Sequence, residues 1–228
     1  MEFFGKIPSE MMNNVRKFTR LRTGGVLNYI NETHGLNKPQ RTVSIMKLVN
    51  VHRPKTEVAV VKLLETHEKQ KCALCHCQVY NGGLSGWTDQ LIKAVKTEGH
   101  SNITDNECSD FIYDLFVRGP LRGQKMEDQA LNDLVLHYTN YAIPVQFRPA
   151  TEQEDILYAV DIVMEVHNTI RAGVQVKSTL FEKKAHAVTV NKNKNNTWVA
   201  PVIYLLYDHK GRWINFLPCL QDLNGFAK

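Results

Sequence analysis

The chain of 228 residues carries a formal net charge of +5, with 43% hydrophobic and 22% charged residues, the profile of a globular protein of one large domain or two small ones and not of a disordered chain. Its longest apolar runs, 58–61 and 199–206, fall far short of the roughly 20 residues that cross a bilayer, and Met1-Glu-Phe-Phe-Gly5 lacks the basic and apolar parts of a secretion signal. A cytoplasmic protein with no membrane partner is expected, and an odd cysteine count of five speaks against a disulfide framework.

Residues 1–60 hold ten Lys or Arg against four acids, so the N-terminal region carries the excess positive charge and suits a polyanionic partner. Met12, Val15 and Phe18 follow Ser9 at helical spacing, with Arg16, Lys17 and Arg20 largely off that stripe, against phosphates or simply in solvent. Thr23-Gly24-Gly25 is expected to break the pattern, and Val26 to Asn31 to form a short second helix ending near Gly35. Two helices, 42–50 and 55–69, are expected across a tight connection, with Pro54 and Thr56 as the start signal of the second. The pair is either a helix-turn-helix that reads a DNA groove or, as is more common, only two packed helices. Cys72-Ala-Leu-Cys75-His-Cys77 has the Cys-x-x-Cys spacing that presents two thiolates to Zn²⁺, so a structural zinc on Cys72, Cys75 and Cys77 is one reading and a helix end with reduced cysteines the other.

Leu91, Ile92 and Val95 mark the inward face of a helix over 85–99, and Thr104 or Asp105 caps another through Phe111, Ile112, Leu115 and Phe116. Arg118-Gly119-Pro120-Leu121-Arg122-Gly123 reads as a boundary. A helix over 124–138 follows, with Met126, Ala130, Leu131, Leu134 and Val135 as its stripe. Residues 142–149 are expected to be an edge strand because of their two prolines. Tyr158 to His167 and Ala172 to Ser178 read as the two strands of a hairpin, with Asn168 and Gly173 supplying the turn. After it, Lys183 and Lys184 are candidates to hold DNA, and 187–196 is expected to pass from a short apolar start into a polar loop. Residues 198–207 and 212–217 read as a second hairpin that extends the sheet.

The first hairpin carries the chemistry. Asp161 is an acid among Val160, Ile162 and Val163, while Gln175 and Lys177, two apart, share one face and Val174 and Val176 the other. A carboxylate and an amide oxygen are hard ligands suited to Mg²⁺, and Lys177 beside them can hold an attacking water. A metal so placed acidifies water and neutralises charge on a phosphate, which suits phosphodiester hydrolysis. The competing reading is an ordinary surface hairpin with a solvated Asp and Lys.

Asp161, followed fourteen positions later by Gln175-Val176-Lys177, resembles the PD-(D/E)XK phosphodiesterase superfamily, which includes many type II restriction endonucleases. The run Ala150 to Asp161 is similar to the lead-in to that family's first catalytic strand. Val160 stands where the family pattern has proline, and Gln175 replaces the second acid, as in a subset of its restriction enzymes. The resemblance implies an α/β fold, a mixed-sheet nuclease core flanked by helices and preceded by a mostly helical region, with 1–117 as the DNA-recognition part and 118–228 as the catalytic core. It implies a Mg²⁺-dependent endonuclease, with Mn²⁺ as a substitute, that cuts a specific sequence of double-stranded DNA and works as a homodimer. Asp161, the Gln175 side chain and the Val176 carbonyl are the implied metal ligands and Lys177 orients the water. Glu127 is the best match for a further helix-borne acid, with Gln129 and Glu154 as alternatives. A non-catalytic DNA-binding protein and a structure-specific repair or junction nuclease remain open beside this reading.

Overall fold

Apolar residues recur at helical spacing up to Tyr138 and at strand spacing in much of the chain beyond it. The computed structural model, which describes residues 19–35, 45–71, 73, 74, 79, 82–139, 144–183 and 185–227, has the same division. The protein is α/β, with a helical N-terminal region and a four-stranded mixed sheet flanked by helices. It divides into two compact units, Met1–Arg122 and Gly123–Lys228.

The first unit contains α1 (Thr19–His34), α2 (Ile45–His52), α3 (Glu57–Lys69), α4 (Gly83–Thr97) and α5 (Asp105–Tyr113). Their apolar faces meet in one core in which Leu27, Ile30, Leu48, Val60, Leu64, Trp87, Leu91 and Ile112 are fully buried. Thr56 caps α3, its hydroxyl accepting the Ala59 N–H, and Thr104 and Glu107 form a reciprocal capping box on α5. The expected break at Thr23-Gly24-Gly25 is absent: α1 runs through it to Gly35, which ends the helix at φ 60°. Each helical glycine costs about 1 kcal/mol relative to alanine, and burial of Leu27 and Ile30 outweighs that.

The boundary signal at Gly119-Pro120 is also helical. A π-helical turn, Asp114–Arg118, joins α5 to α6 (Gly119–Tyr138). Pro120 has no N–H to continue the ladder, and Gly119 donates instead to Asp114 O. A Cβ on Gly119 would lie 2.9 Å from that oxygen, so the glycine is what admits the wide turn.

The second unit continues with β1 (Val145–Pro149), α7 (Glu152–Tyr158), β2 (Ile162–Val166), β3 (Thr169–Ser178), a 3-10 turn at Phe181–Lys183, α8 (Ala185–Asn195), β4 (Val202–Tyr207) and α9 (Phe216–Phe226). The strands lie in the order β1-β2-β3-β4, the first three antiparallel and β3 parallel to β4. Met126, Ala130, Leu134 and Tyr138 of α6, with Cys219, Leu220 and Leu223 of α9, cover the face formed by Ile162, Met164, Ala172, Val174, Val176 and Leu205. Val135, expected inward, is 44% exposed. The opposite face carries a smaller apolar cluster, Val160, Val163 and Trp198.

Three expectations for this unit are corrected. The hairpin turn is His167-Asn168, both at positive φ, and Gly173 lies inside β3, where Trp198 packs directly over it. The polar stretch after the hairpin is helix α8. The second hairpin is reduced to one antiparallel bridge, Tyr207 to Trp213. Asn215 stands in for the missing strand: its Oδ1 accepts the Leu206 N–H and its Nδ2 donates to Tyr204 O, both at 2.7 Å. Pro218 then sits in the first turn of α9, where its missing N–H is harmless.

Candidate active site

The β2–β3 register, Ile162 with Val174 and Val163 with Gly173, brings Asp161, the residue just before β2, beside Val174 at the end of the sheet where Gln175 follows. Asp161 lies just ahead of β2 and is fastened on both sides, its N–H donating to Val174 O at 3.0 Å and its carbonyl accepting the Ala150 N–H at 2.9 Å. Because Ile162, Val174 and Val176 point into the helix-covered core, the alternation of a strand sends Gln175 and Lys177 to the other face, and the Asp161 carboxylate meets the Lys177 ammonium there.

On that face the Asp161 carboxylate is 5% exposed. Its Oδ2 accepts the Val176 N–H at 2.6 Å and the Lys177 ammonium at 3.3 Å. The N–H and C=O of one residue leave a strand by the same edge, so the Val176 carbonyl projects toward this end of β2 as well. Gln175 is 1% exposed, and its Oε1 is buried without a hydrogen-bond partner. Burial works against the charge on Lys177, but Asp161, Glu127 and Asp155 together outweigh it and raise the ammonium above its ordinary value.

Asp161, Gln175, Val176 and Lys177 are therefore brought together, and Glu127 reaches Lys177 electrostatically from α6. Gln129, two positions on, belongs to a different face of that helix. Glu154 is engaged elsewhere: it receives both Nη atoms of Arg148 at 2.8 and 2.9 Å and closes the Thr151 capping box, and its carboxyl is lowered to about 2, chiefly by Arg148. Cys72, Cys75, Cys77 and Lys184 lie outside the described residues, as do Arg16 and Lys17. Among the described residues no group of three His, Cys, Asp or Glu is gathered as a metal cluster.

Two neighbours carried little sequence signal. Asp155, in the first turn of α7, is half-buried, and its carboxyl is raised by burial and by Asp161. Thr151-x-x-Glu154 is a capping-box pattern that places a helix there and assigns Glu154 to its cap. Tyr204 of β4 is in register with Gln175, and its hydroxyl donates at 2.7 Å to the Asn195 amide, whose nitrogen serves the carbonyls of Tyr158 and Asn191. Asn195 ends a helix that the sequence presents as a polar loop.

The four-stranded mixed sheet flanked by helices makes this an α/β protein, with an acid, a buried amide and an ammonium collected at one end of its β2–β3 hairpin. The MjaI restriction endonuclease family matches residues 24–212, and the chain belongs to that family. The matched stretch takes in all four strands and Glu127, Asp161, Gln175, Val176 and Lys177. Restriction endonucleases are site-specific DNA nucleases, which makes DNA the substrate. No curated protein and no solved structure matches the chain. Among the described residues no helix is long and apolar enough to cross a membrane.

Proposed function

We propose that the chain is a Mg²⁺-dependent endonuclease of PD-(D/E)XK type that hydrolyses phosphodiester bonds within a specific sequence of duplex DNA, with its site on the β2–β3 hairpin. The observation that carries this reading is the Asp161 Oδ2 shared by the Val176 amide and the Lys177 ammonium beside the unpartnered Gln175 Oε1. A buried amide oxygen left unpaired costs about 1–3 kcal/mol, and a hard cation coordinated by it removes that penalty. Asp161, Gln175 Oε1 and the Val176 carbonyl, with Glu127 from α6, make an all-oxygen donor set that suits Mg²⁺, and Mn²⁺ in its place.

When bound, the ion supplies positive charge to the scissile phosphate and acidity to a neighbouring water. The residues of the chain do the rest. Asp161 is held by backbone and side-chain hydrogen bonds in one orientation, so little rearrangement is needed on reaction. Lys177, kept charged by its acidic neighbours, acts as a donor and not as a base. It orients the attacking water and contributes to neutralising the phosphate.

In this reading residues 118–228 carry catalysis, and the basic region 1–117 takes part in recognition through base edges, since phosphate contacts alone carry no sequence information. Cutting both strands needs two such sites, hence a homodimer. The test is incubation of the protein with long mixed-sequence duplex DNA in Mg²⁺ and in EDTA, beside Lys177→Ala. Discrete fragments that need Mg²⁺ and vanish in the variant are expected. Intact DNA in every condition, from protein that still binds it, would instead mark a non-catalytic DNA-binding protein.

A further inference from the structure

Only Ala159 and Val160 lie between α7 and Asp161, and Ala159 turns the chain there in the left-handed region, at φ 53° and ψ 48°. A short, strained connection keeps its path only where its surroundings hold it. The last carbonyls of α7 have no partner inside the helix, and α8 provides for two of them from consecutive residues. Lys194 donates to Ile156 O at 2.7 Å. The Asn195 amide nitrogen donates to Tyr158 O at 2.6 Å, and to Asn191 O one turn back on its own helix at 3.1 Å. Trp198, just beyond α8, packs with Val160 in the small cluster on the same face of the sheet.

The oxygen of the same amide accepts the Tyr204 hydroxyl at 2.7 Å. Tyr204 is in register with Gln175 on the neighbouring strand, so the two side chains leave the sheet side by side on one face. Phe181, from the turn that follows β3, stacks on the Tyr204 ring with centroids 5.9 Å apart and planes 19° apart, while Asn195 fixes the far end of that ring. Gln175 is 1% exposed and its Oε1 makes no hydrogen bond. What packs beside the amide, and not a bond to that oxygen, therefore sets where the oxygen lies. Only an amide can serve both partners of Asn195, since a carboxylate has no N–H for the Tyr158 carbonyl.

We propose that Asn195 is a positioning residue of this site, one amide that fixes the approach to Asp161 through the Tyr158 carbonyl and the surroundings of Gln175 through Tyr204. The inference rests on the nuclease reading above. Asn195 itself touches neither ion nor DNA in this role. Groups that orient metal ligands are worth about 10–100-fold in metal affinity or activity, and a shift of about 1 Å at a reacting centre has an effect of the same order.

The test follows Mn²⁺ binding to the full-length protein without DNA, by electron paramagnetic resonance of the free ion, beside the thermal midpoint and the cleavage of mixed-sequence duplex DNA in Mg²⁺. Asn195→Leu keeps the shape and removes both polar groups. It is expected to weaken Mn²⁺ binding by about tenfold, to slow cleavage by at least as much and to lower the midpoint. Adding Tyr204→Phe sets two apolar groups where the bond was, which is nearly neutral for stability. The midpoint is then expected to recover in part while Mn²⁺ binding stays weak. Thr197→Val removes the 2.7 Å bond of the Thr197 hydroxyl to Lys194 O at the same helix end, and is expected to lower the midpoint and leave Mn²⁺ binding unchanged. Mn²⁺ affinity that returns with the midpoint in the double variant, or falls as far in Thr197→Val, makes Asn195 a support of the fold alone and overturns the proposal. Parental Mn²⁺ binding by Asn195→Leu, while Asp161→Asn has lost it, overturns it too and leaves the nuclease reading standing. Equal binding by Asp161→Asn, or no Mn²⁺ uptake by the parent protein, overturns both. Should Asn195→Leu not fold, the double variant gives the same reading.

Discussion

Lys177 Nζ stands 3.3 Å from Asp161 Oδ2, and the carboxylate holds the lysine as a cation against its own burial. A folded value raised above the ordinary lysine value of 10.5 means that the stability linked to the lysine proton is complete below that ordinary value and is lost as pH rises past the raised one. In Asp161→Asn the largest of the upward influences is gone, while burial still works against the charge. Lys177 is then expected to lose its proton at lower pH than in the parent protein. Acetylation of Lys177 as a function of pH, read by mass spectrometry, measures this, and an unshifted profile would show that Asp161 does not set the charge.

Arg148 joins three elements: its Nε donates to Glu165 of β2 at 2.8 Å and its two Nη atoms to Glu154 of α7, while its backbone lies in β1. Glu154 is lowered from 4.5 to about 2, with the Arg148 hydrogen bond as the first cause. The stability so gained is complete above the unfolded carboxyl value and is lost as pH falls from there toward 2. Arg148→Met is expected to destabilise the protein by about 1–2 kcal/mol at pH 7, a figure reduced for solvent screening. The variant's unfolding free energy should also fall less steeply than the parent's between pH 5 and pH 2. Urea titrations at several pH values give both numbers.

How much of this was legible in the sequence depended on whether the deciding interaction was local. Gln175 and Lys177 were legible because strand alternation alone gives them one face, Asp161 because an acid within an apolar run stands out, and Thr56 and Thr104 because a cap is a four-residue signal. The hairpin was legible, but its turn was misassigned: Gly173 looks like punctuation and is really the space for the Trp198 ring, a contact 25 positions away. Residues 212–217 alternate as a strand does, yet Asn215 bonds β4 with its side chain and frees the chain to enter α9. Asn-rich α8 has poor intrinsic helix propensity, and packing against α7 through Lys194 overrides it. Asp155 was visible only as one of several acids, since nothing local distinguishes it from Glu154 until Arg148 is known to claim the latter.

Gly173 gives a direct test of the thin face of the sheet. A Cβ there would lie 2.5 Å from Trp198 Cζ3 and 3.0 Å from Val160 Cγ1. The indole is a rigid obstacle, so either it or β3 must shift. Gly173→Ala is expected to cost about 1–3 kcal/mol and to lower cleavage, because Gln175 and Lys177 follow on the same strand. Trp198→Leu in the Gly173→Ala background should recover part of the stability by opening that space, whereas additive losses from the two changes would mean that the indole is not the obstacle met by the added methyl group.

The hairpin turn offers a change that should strengthen the fold and leave the chemistry alone. His167 and Asn168 lie at φ 52° and 59° between the paired residues Val166 and Thr169. Two consecutive positive φ values in a two-residue loop are the requirement of a type I′ turn, which favours Asn followed by Gly. Histidine is a poor occupant of the first position and asparagine only an acceptable one of the second. His167→Asn with Asn168→Gly is expected to stabilise the protein by about 1 kcal/mol, or roughly 2–4 °C in thermal midpoint for a chain of this size. The turn is separated from Asp161 by the length of β2, about 17 Å, so the cleavage rate should be unchanged. A lower midpoint would mean that one of the two native side chains makes a contact worth more than the backbone strain it imposes.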